Sequence, residues 1–125
     1  MNKSNKEIVL EVLKRAFIDR DPTVVEQYFD ASYTQHNPVI PDGPLAIATL
    51  IPTLTALSYE PGMAVADGDL VMVHGRYTGW GPKPMVAVDI FRVKGGKVVE
   101  HWDVMQEEVG PADTASGHAM FTTPE

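Results

Sequence analysis

Asp89-Ile90-Phe91-Arg92-Val93-Lys94-Gly95-Gly96-Lys97-Val98-Val99-Glu100-His101-Trp102-Asp103-Val104-Met105-Gln106 is the stretch that decides how this chain is read. Two runs rich in Val, Ile, Phe and Trp flank a Gly-Gly pair, the pattern of two β-strands joined by a tight turn. The spacing predicts a three-residue loop, Lys94-Gly95-Gly96, with Gly96 in the left-handed conformation. Val93 would then pair with Lys97, Phe91 with Val99 and Asp89 with His101, leaving Asp103 as a diagonal neighbour of Asp89. Because side chains alternate between the faces of a strand, Asp89, Phe91, Val99, His101 and Asp103 would all look into one space. A carboxylate on an apolar strand face is costly unless it is paired, hydrogen-bonded or neutral. The stretch therefore points to acid/base chemistry inside a mainly β core.

Working outward, the residues before it predict two further strands. Met63 and Val65 belong to one of them. Asp67-Gly68 is a hairpin turn, and Leu70 to Thr78 alternates Val71, Val73, Gly75 and Tyr77 against Leu70, Met72, His74 and Arg76. The front of the chain reads as helix. Ser4-Asn5-Lys6-Glu7 is a capping box, followed by Val9, Leu13, Ala16 and Phe17 at helical spacing with Ile8 and Val12 widening the stripe, to about Asp19. Asp21-Pro22 predicts a second start, with Asp as N-cap and Pro at the first helical position, for a short helix carrying Val24, Val25, Tyr28 and Phe29. Ser32 to Pro41 should be extended or irregular, since two X-Pro steps disfavour helix. Leu45 to Leu57 reads as a third helix, with Leu45, Ala48, Ile51 and Leu54 in register and Pro52 marking a kink or a break. After Glu107 the chain should be partly irregular, with Met120 and Phe121 as late anchors. Helices gathered before strands indicate an α+β fold in one domain spanning residues 1–125, a curved antiparallel sheet with helices on its concave face and a cavity between them.

Composition bounds the function. A net charge of -7 with no basic run argues against nucleic acid and against an anionic membrane surface. The chain has no cysteine, which removes thiol nucleophiles, thiolate metal sites and disulfides. No segment approaches the roughly 20 apolar residues of a membrane span. A soluble, cytoplasmic protein is the expectation.

Two carboxylates beside an imidazole can divide the work. One ionises as a general base while the other is held neutral as a hydrogen-bond donor. The alternative for His101 and Asp103 is a structural pair on a solvated face. His36 is either a donor at the pocket mouth or a turn histidine bonded to local backbone. His74 is a ligand contact, a satisfied core histidine or a solvent-facing one. Phe17, Tyr28, Phe29, Tyr33, Trp80, Met85 and Trp102 are aromatic or sulfur side chains of which a few would line a pocket and the rest pack the core. His101, Asp103 and His36 could form a facial metal set, but no HxxxH or Cys pair accompanies them, and no metal is expected. No G-x-S-x-G elbow and no Gly-rich phosphate loop is present.

Tyr33-Thr34-Gln35-His36-Asn37-Pro38, then Asp42-Gly43, Asp89-Ile90-Phe91-Arg92 and Gly96-Lys97-Val98-Val99-Glu100-His101-Trp102-Asp103-Val104-Met105-Gln106, resemble the SnoaL-like polyketide cyclases. These sit within the nuclear-transport-factor-2-like, ketosteroid-isomerase-like superfamily. The likeness runs from the first helix to Gln106. It implies a cone-shaped barrel, a homodimer, a deep apolar cavity and no cofactor. It also implies Asp103 as general acid/base in an aldol-type closure or isomerisation of a small apolar carbonyl compound, with Asp89 and His101 beside it. His36, Tyr33, His74, Phe29, Trp80, Trp102 and Gln106 are the candidate substrate contacts. Two alternatives are a ligand-binding module of the same shape without chemistry, and a cofactor-independent hydrolase. The second would need Arg92 inside the cavity, whereas alternation places it opposite Asp89 and Phe91.

Overall fold

A computed structural model describes residues 3–124; Met1, Asn2 and Glu125, which the sequence reading takes into the domain, lie outside the described residues. The first helix, α1 (Asn5–Phe17), begins at the expected capping box: Ser4 Oγ accepts from the Glu7 N–H, and Glu7 Oε1 accepts from the Ser4 N–H. Its Val9, Val12, Leu13 and Ala16 are buried. In α2 (Thr23–Tyr28) the cap residue is Pro22, one residue later than expected. Asp21 still does capping work, because its carboxylate accepts from the Thr23 N–H.

The largest departure from the sequence reading follows. Phe29 does not end the second helix; it begins a strand, β1 (Phe29–Gln35), which pairs in parallel with the last strand. Phe29 and Tyr33 are four apart, a spacing that suits one helix face and one strand face equally, and pairing with the sheet decides between them. Next comes α3 (Pro44–Leu50), then a 3-10 turn Ile51–Thr53 that contains Pro52, so the expected helix breaks at the proline. Its inward residues are Ile47 and Ile51; Leu45, expected inside, is 78% exposed. Four antiparallel strands complete the sheet: β2 (Ser58–Asp67), β3 (Leu70–Thr78), β4 (Met85–Lys94) and β5 (Lys97–Glu107). The spatial order is β1-β5-β4-β3-β2. Helix α1 packs on the concave side against β2 and β3. Val71, Val73, Tyr77, Phe91, Val93 and Val98 of the sheet meet the helices in one core cluster. The tail returns along the convex face, where the Phe121 ring lies 5.8 Å from that of His74 and Met120 Sδ accepts from the Val109 N–H. Among the described residues no helix is long and apolar enough to cross a membrane.

The β4–β5 register differs from the expected one in two compensating ways. Lys94 pairs with Lys97 and Val93 with Val98, so the turn is the two residues Gly95 and Gly96, at φ 57° and 77°. Positive φ at both central positions is what a type I′ turn requires. The register then slips, Arg92 pairing with Glu100, so that Val99 is the extra residue of a β-bulge. Val98 rather than Val99 therefore faces the core. Beyond the bulge Phe91 is opposite His101 and Asp89 is opposite Asp103. The partners are not the expected ones, but the shared face is.

Gly75 on β3 sits beneath the buried Tyr59 ring: a Cβ there would lie 2.6 Å from the Tyr59 Cε1 and hydroxyl oxygen. Phe17 and Tyr77 pack against that ring, with centroids 6.2 and 4.5 Å away, and limit its retreat. Gly75→Ala should cost about 1–3 kcal/mol by overpacking, read as a lower denaturation midpoint with unchanged slope in urea.

Candidate active site

The cavity lies between the concave face of the sheet and the helices. Its wall is apolar: Val12, Ala16 and Phe17 of α1, Phe29 of β1, Ile47 of α3, with Trp80, Phe91 and Met105. Its polar groups are Tyr33, Gln35, Asn37, Tyr77, Asp89, His101 and Asp103. Its volume is about 40 Å³, room for a few waters or a small functional group. It continues past Asn37, Ile40, Trp80 and Met105 into a mouth of about 250 Å³, lined also by Val39, Gly81 and Met85.

At the floor, His101 is gripped at both nitrogens. Nδ1 lies 2.6 Å from Gln35 Oε1, and Nε2 lies 2.8 Å from Asp89 Oδ1. The orientation of the Gln35 amide follows from its other neighbours. Its oxygen accepts from the Asn37 backbone N–H at 3.0 Å, and its nitrogen donates to the Tyr33 hydroxyl at 2.8 Å. A carbonyl oxygen cannot donate, so His101 Nδ1 must carry a proton. Two bare acceptors cannot share a 2.8 Å contact either, so another proton lies between Nε2 and Asp89 Oδ1. On nitrogen it makes an imidazolium–carboxylate pair, and on oxygen a neutral one. The second Asp89 oxygen accepts from the Tyr77 hydroxyl at 2.7 Å. Burial first, and the Asp89 carboxylate after it, hold the Tyr77 and Tyr33 hydroxyls well above the usual phenol range. Both therefore remain donors at any ordinary pH.

Asp103 is bound differently. Its side chain is 9% exposed. Its Oδ2 accepts from Asn37 Nδ2 at 2.7 Å and stands 3.9 Å from His101 Nε2. Its Oδ1 makes no hydrogen bond among the described residues. Opposed carboxylates on paired strands repel; the proton shared by His101 Nε2 and Asp89 Oδ1 offsets that repulsion. One ligand atom each from Asp89, His101 and Asp103 lies within 4.8 Å of the others, a set that could hold a metal ion. The shared proton, the two donors Tyr77 and Asn37 and the acceptor Gln35 account for the geometry without one.

Of the residues singled out from sequence, Asp89, His101, Asp103, Tyr33, Phe29 and Trp80 line the cavity. Four others lie elsewhere, because strand alternation sends them to the convex face. The His36 ring stacks on Trp102 (5.0 Å, 2°), and its Nε2 donates to Glu100 Oε2 at 2.7 Å. That hydrogen bond, with a further one from Arg92, holds the Glu100 carboxyl below its usual value. His74 packs on Phe121, and Gln106 is exposed. Arg92 pairs with Asp69 and Glu100 outside the cavity, as alternation requires. Gln35, Asn37 and Tyr77 were not nominated from sequence. The signal was available for two of them: once Tyr33 faces inward on a strand, Gln35 and Asn37 follow at period two and His36 does not.

A SnoaL-like domain model matches residues 9–101. The chain belongs to the SnoaL-like domain family. No curated protein sequence matches it. Among solved structures it is similar to an NTF2-like protein of unknown function from Cytophaga hutchinsonii (13% identity, 85% of this chain and 93% of that one, TM-score 0.73). It is also similar to a candidate polyketide cyclase from Acidithiobacillus ferrooxidans (20%, 85% and 92%, 0.69). A third is an LEH-like epoxide hydrolase from M. tuberculosis (19%, 82% and 82%, 0.65). At these identities the likenesses establish the SnoaL-like, cone-shaped α+β fold.

The protonation of His101 Nδ1 is open to a direct spectroscopic test. In long-range ¹H–¹⁵N correlation spectra, His101 Nδ1 should show the shift of a protonated nitrogen throughout the pH range in which the protein is folded. Gln35→Leu should abolish that preference.

Proposed function

We propose that the protein is an acid/base enzyme acting on a small apolar carbonyl compound, with Asp103 as the proton-transferring group. The observation that carries this reading is the unequal bonding of the two carboxylates. Asp89 has both oxygens engaged, by His101 and Tyr77. Asp103 has one oxygen steadied by Asn37 and the other unbonded inside an apolar cavity. A carboxylate with one oxygen fixed and one bare is poised to take a proton from the carbon next to a carbonyl. The C–H electron pair then moves into the C–C–O system as an enolate. The Tyr33 hydroxyl, whose own proton has no acceptor among the described residues, is the donor best suited to that oxygen. The Asp103 carboxylic acid then returns the proton to carbon, as isomerisation would require; or the enolate carbon attacks a second carbonyl, whose oxygen takes up the π electrons and then the Asp103 proton, as aldol-type closure would require. His101 and Asp89 hold the shared proton nearby and stabilise charge on Asp103. The cavity volume of about 40 Å³ suits a reacting group rather than a polycyclic skeleton.

Asp103→Asn keeps an acceptor for Asn37 and removes the base. It should lower the rate of deuterium exchange alpha to the carbonyl, across a panel of small ketones, on the order of 10²- to 10⁴-fold. Ligand affinity should persist. Absence of exchange by the wild type, or its survival in the variant, would refute the catalytic reading and favour a binding module.

The convex face supports a second part of the proposal, a homodimer. Val65 pairs with Met72, Met72 with Ile90 and Ile90 with Trp102, giving an apolar row across four strands. Val65 and Val104 on this face are 61% and 67% exposed. An exposed apolar row on an acidic chain fits a second copy better than it fits water. Light scattering should give twice the mass of one chain, and Met72→Glu should shift the population to monomer without lowering the exchange rate per folded chain by more than about twofold.

A further inference from the structure

The loop from Asn37 to Asp42 places Val39 with 82% of its surface exposed, and Leu45 at the start of α3 is 78% exposed. Neither exposure is the accident of a loose loop. Asn37 Oδ1 accepts from the Val39 N–H at 2.9 Å, and Asp42 Oδ1 accepts from the Gln35 N–H at 2.7 Å. The loop is thus clamped at both ends, and one clamp is the same Asn37 that holds Asp103. Between this loop and the outer side of α3 runs a groove of about 560 Å³, lined by Val39, Ile40, Pro41, Leu45, Ala46 and Leu50 with Asp42 and two threonines. The only charged side chain there, Asp42, is the one engaged by Gln35. In a chain of net charge -7 this is a notably uncharged strip.

The groove is continuous with the site. Ile40 lines the enclosed cavity, the mouth and the groove, and Val39 lines the last two. The cavity around Asp103 accommodates only a small group, so the apolar body of any larger ligand must lie outside it. The surface leading from the mouth is mainly apolar for the length of α3, about 10 Å at 1.5 Å per residue.

We infer that the substrate is an amphiphile: a compact carbonyl head that enters the cavity, and an extended aliphatic arm that lies across Ile40 into the groove between Val39 and Leu45. Val39 and Leu45 are then specificity-determining residues for arm length. This rests on the reading of Asp103 given above, and the test separates the two.

Methyl n-alkyl ketones from butanone to decanone serve as probes, each measured twice: affinity by ligand-observed saturation-transfer NMR, and kcat/KM for alpha-deuterium exchange. For wild type, affinity should rise about two- to fourfold per added methylene once the arm passes the mouth. The Val39→Asp and Leu45→Asp variants alter exposed positions and should fold normally. They should flatten that slope. Affinity independent of chain length, or a slope that both variants retain, overturns the inference. Exchange with butanone in either of those cases leaves the reading of Asp103 standing. Length-dependent affinity without exchange by any ketone keeps the arm site and removes the chemistry. Loss of dimer mass in Val39→Asp or Leu45→Asp, with the slope intact, would instead make the groove a contact between copies and overturn the inference.

Discussion

One extra residue in β5 determines what the cavity contains. The Gly95-Gly96 turn sets an odd register between β4 and β5, in which Asp89 would face Trp102 across the strands and His101 and Asp103 would turn to the convex side. Inserting Val99 as a bulge restores the parity. Val98 and His101, three apart, then both point inward. The buried cluster of charges exists because a local irregularity is tolerated there.

Burying that cluster requires compensation from elsewhere, and it comes from the parallel strand. An Asp, a His and a second Asp in an apolar wall would be prohibitively desolvated if left with one another alone. Gln35 and Asn37 at the end of β1 supply an acceptor for Nδ1 and a donor for Asp103, and Tyr77 of β3 supplies a donor for Asp89. Each partner is neutral, so the cluster gains hydrogen bonds without gaining charge. This leaves Asp103 Oδ1 as the one carboxylate oxygen of the cluster without a partner among the described residues. It is also the cluster atom with the clearest chemical potential.

The strongly patterned parts of the sequence were legible. The capping box, the α1 stripe, the Leu70–Thr78 alternation and the inward face of Asp89, His101 and Asp103 all follow from residue spacing, and the SnoaL-like resemblance follows from the motifs around them. What was not legible depended on tertiary pairing. Phe29 and Tyr33 fit a helix and a strand alike, and only docking against β5 selects the strand. With β1 unassigned, the eye falls on His36, the ionisable residue, when the inward positions are its amide neighbours Gln35 and Asn37. The bulge left no mark at all, since Val98 and Val99 are the same residue type and either could face the core.

The end of β1 ties into both faces of the sheet. Five consecutive residues, Tyr33 to Asn37, fasten the two faces of the sheet to one another. Tyr33, Gln35 and Asn37 reach inward to the acid/base cluster, while His36 reaches outward to stack on Trp102 and to donate to Glu100. The His36 backbone N–H bonds the carbonyl of His101 itself, at 2.9 Å. A parallel edge strand is ordinarily the weakest member of a sheet, with slanted bonds and one unpaired side. Here the side-chain bonds on both faces replace what the ladder lacks, and the amides that hold the cluster inherit their position from contacts on the far side of the backbone. The site is therefore built by the sheet as a two-sided object, and its precision does not rest on the cavity wall alone.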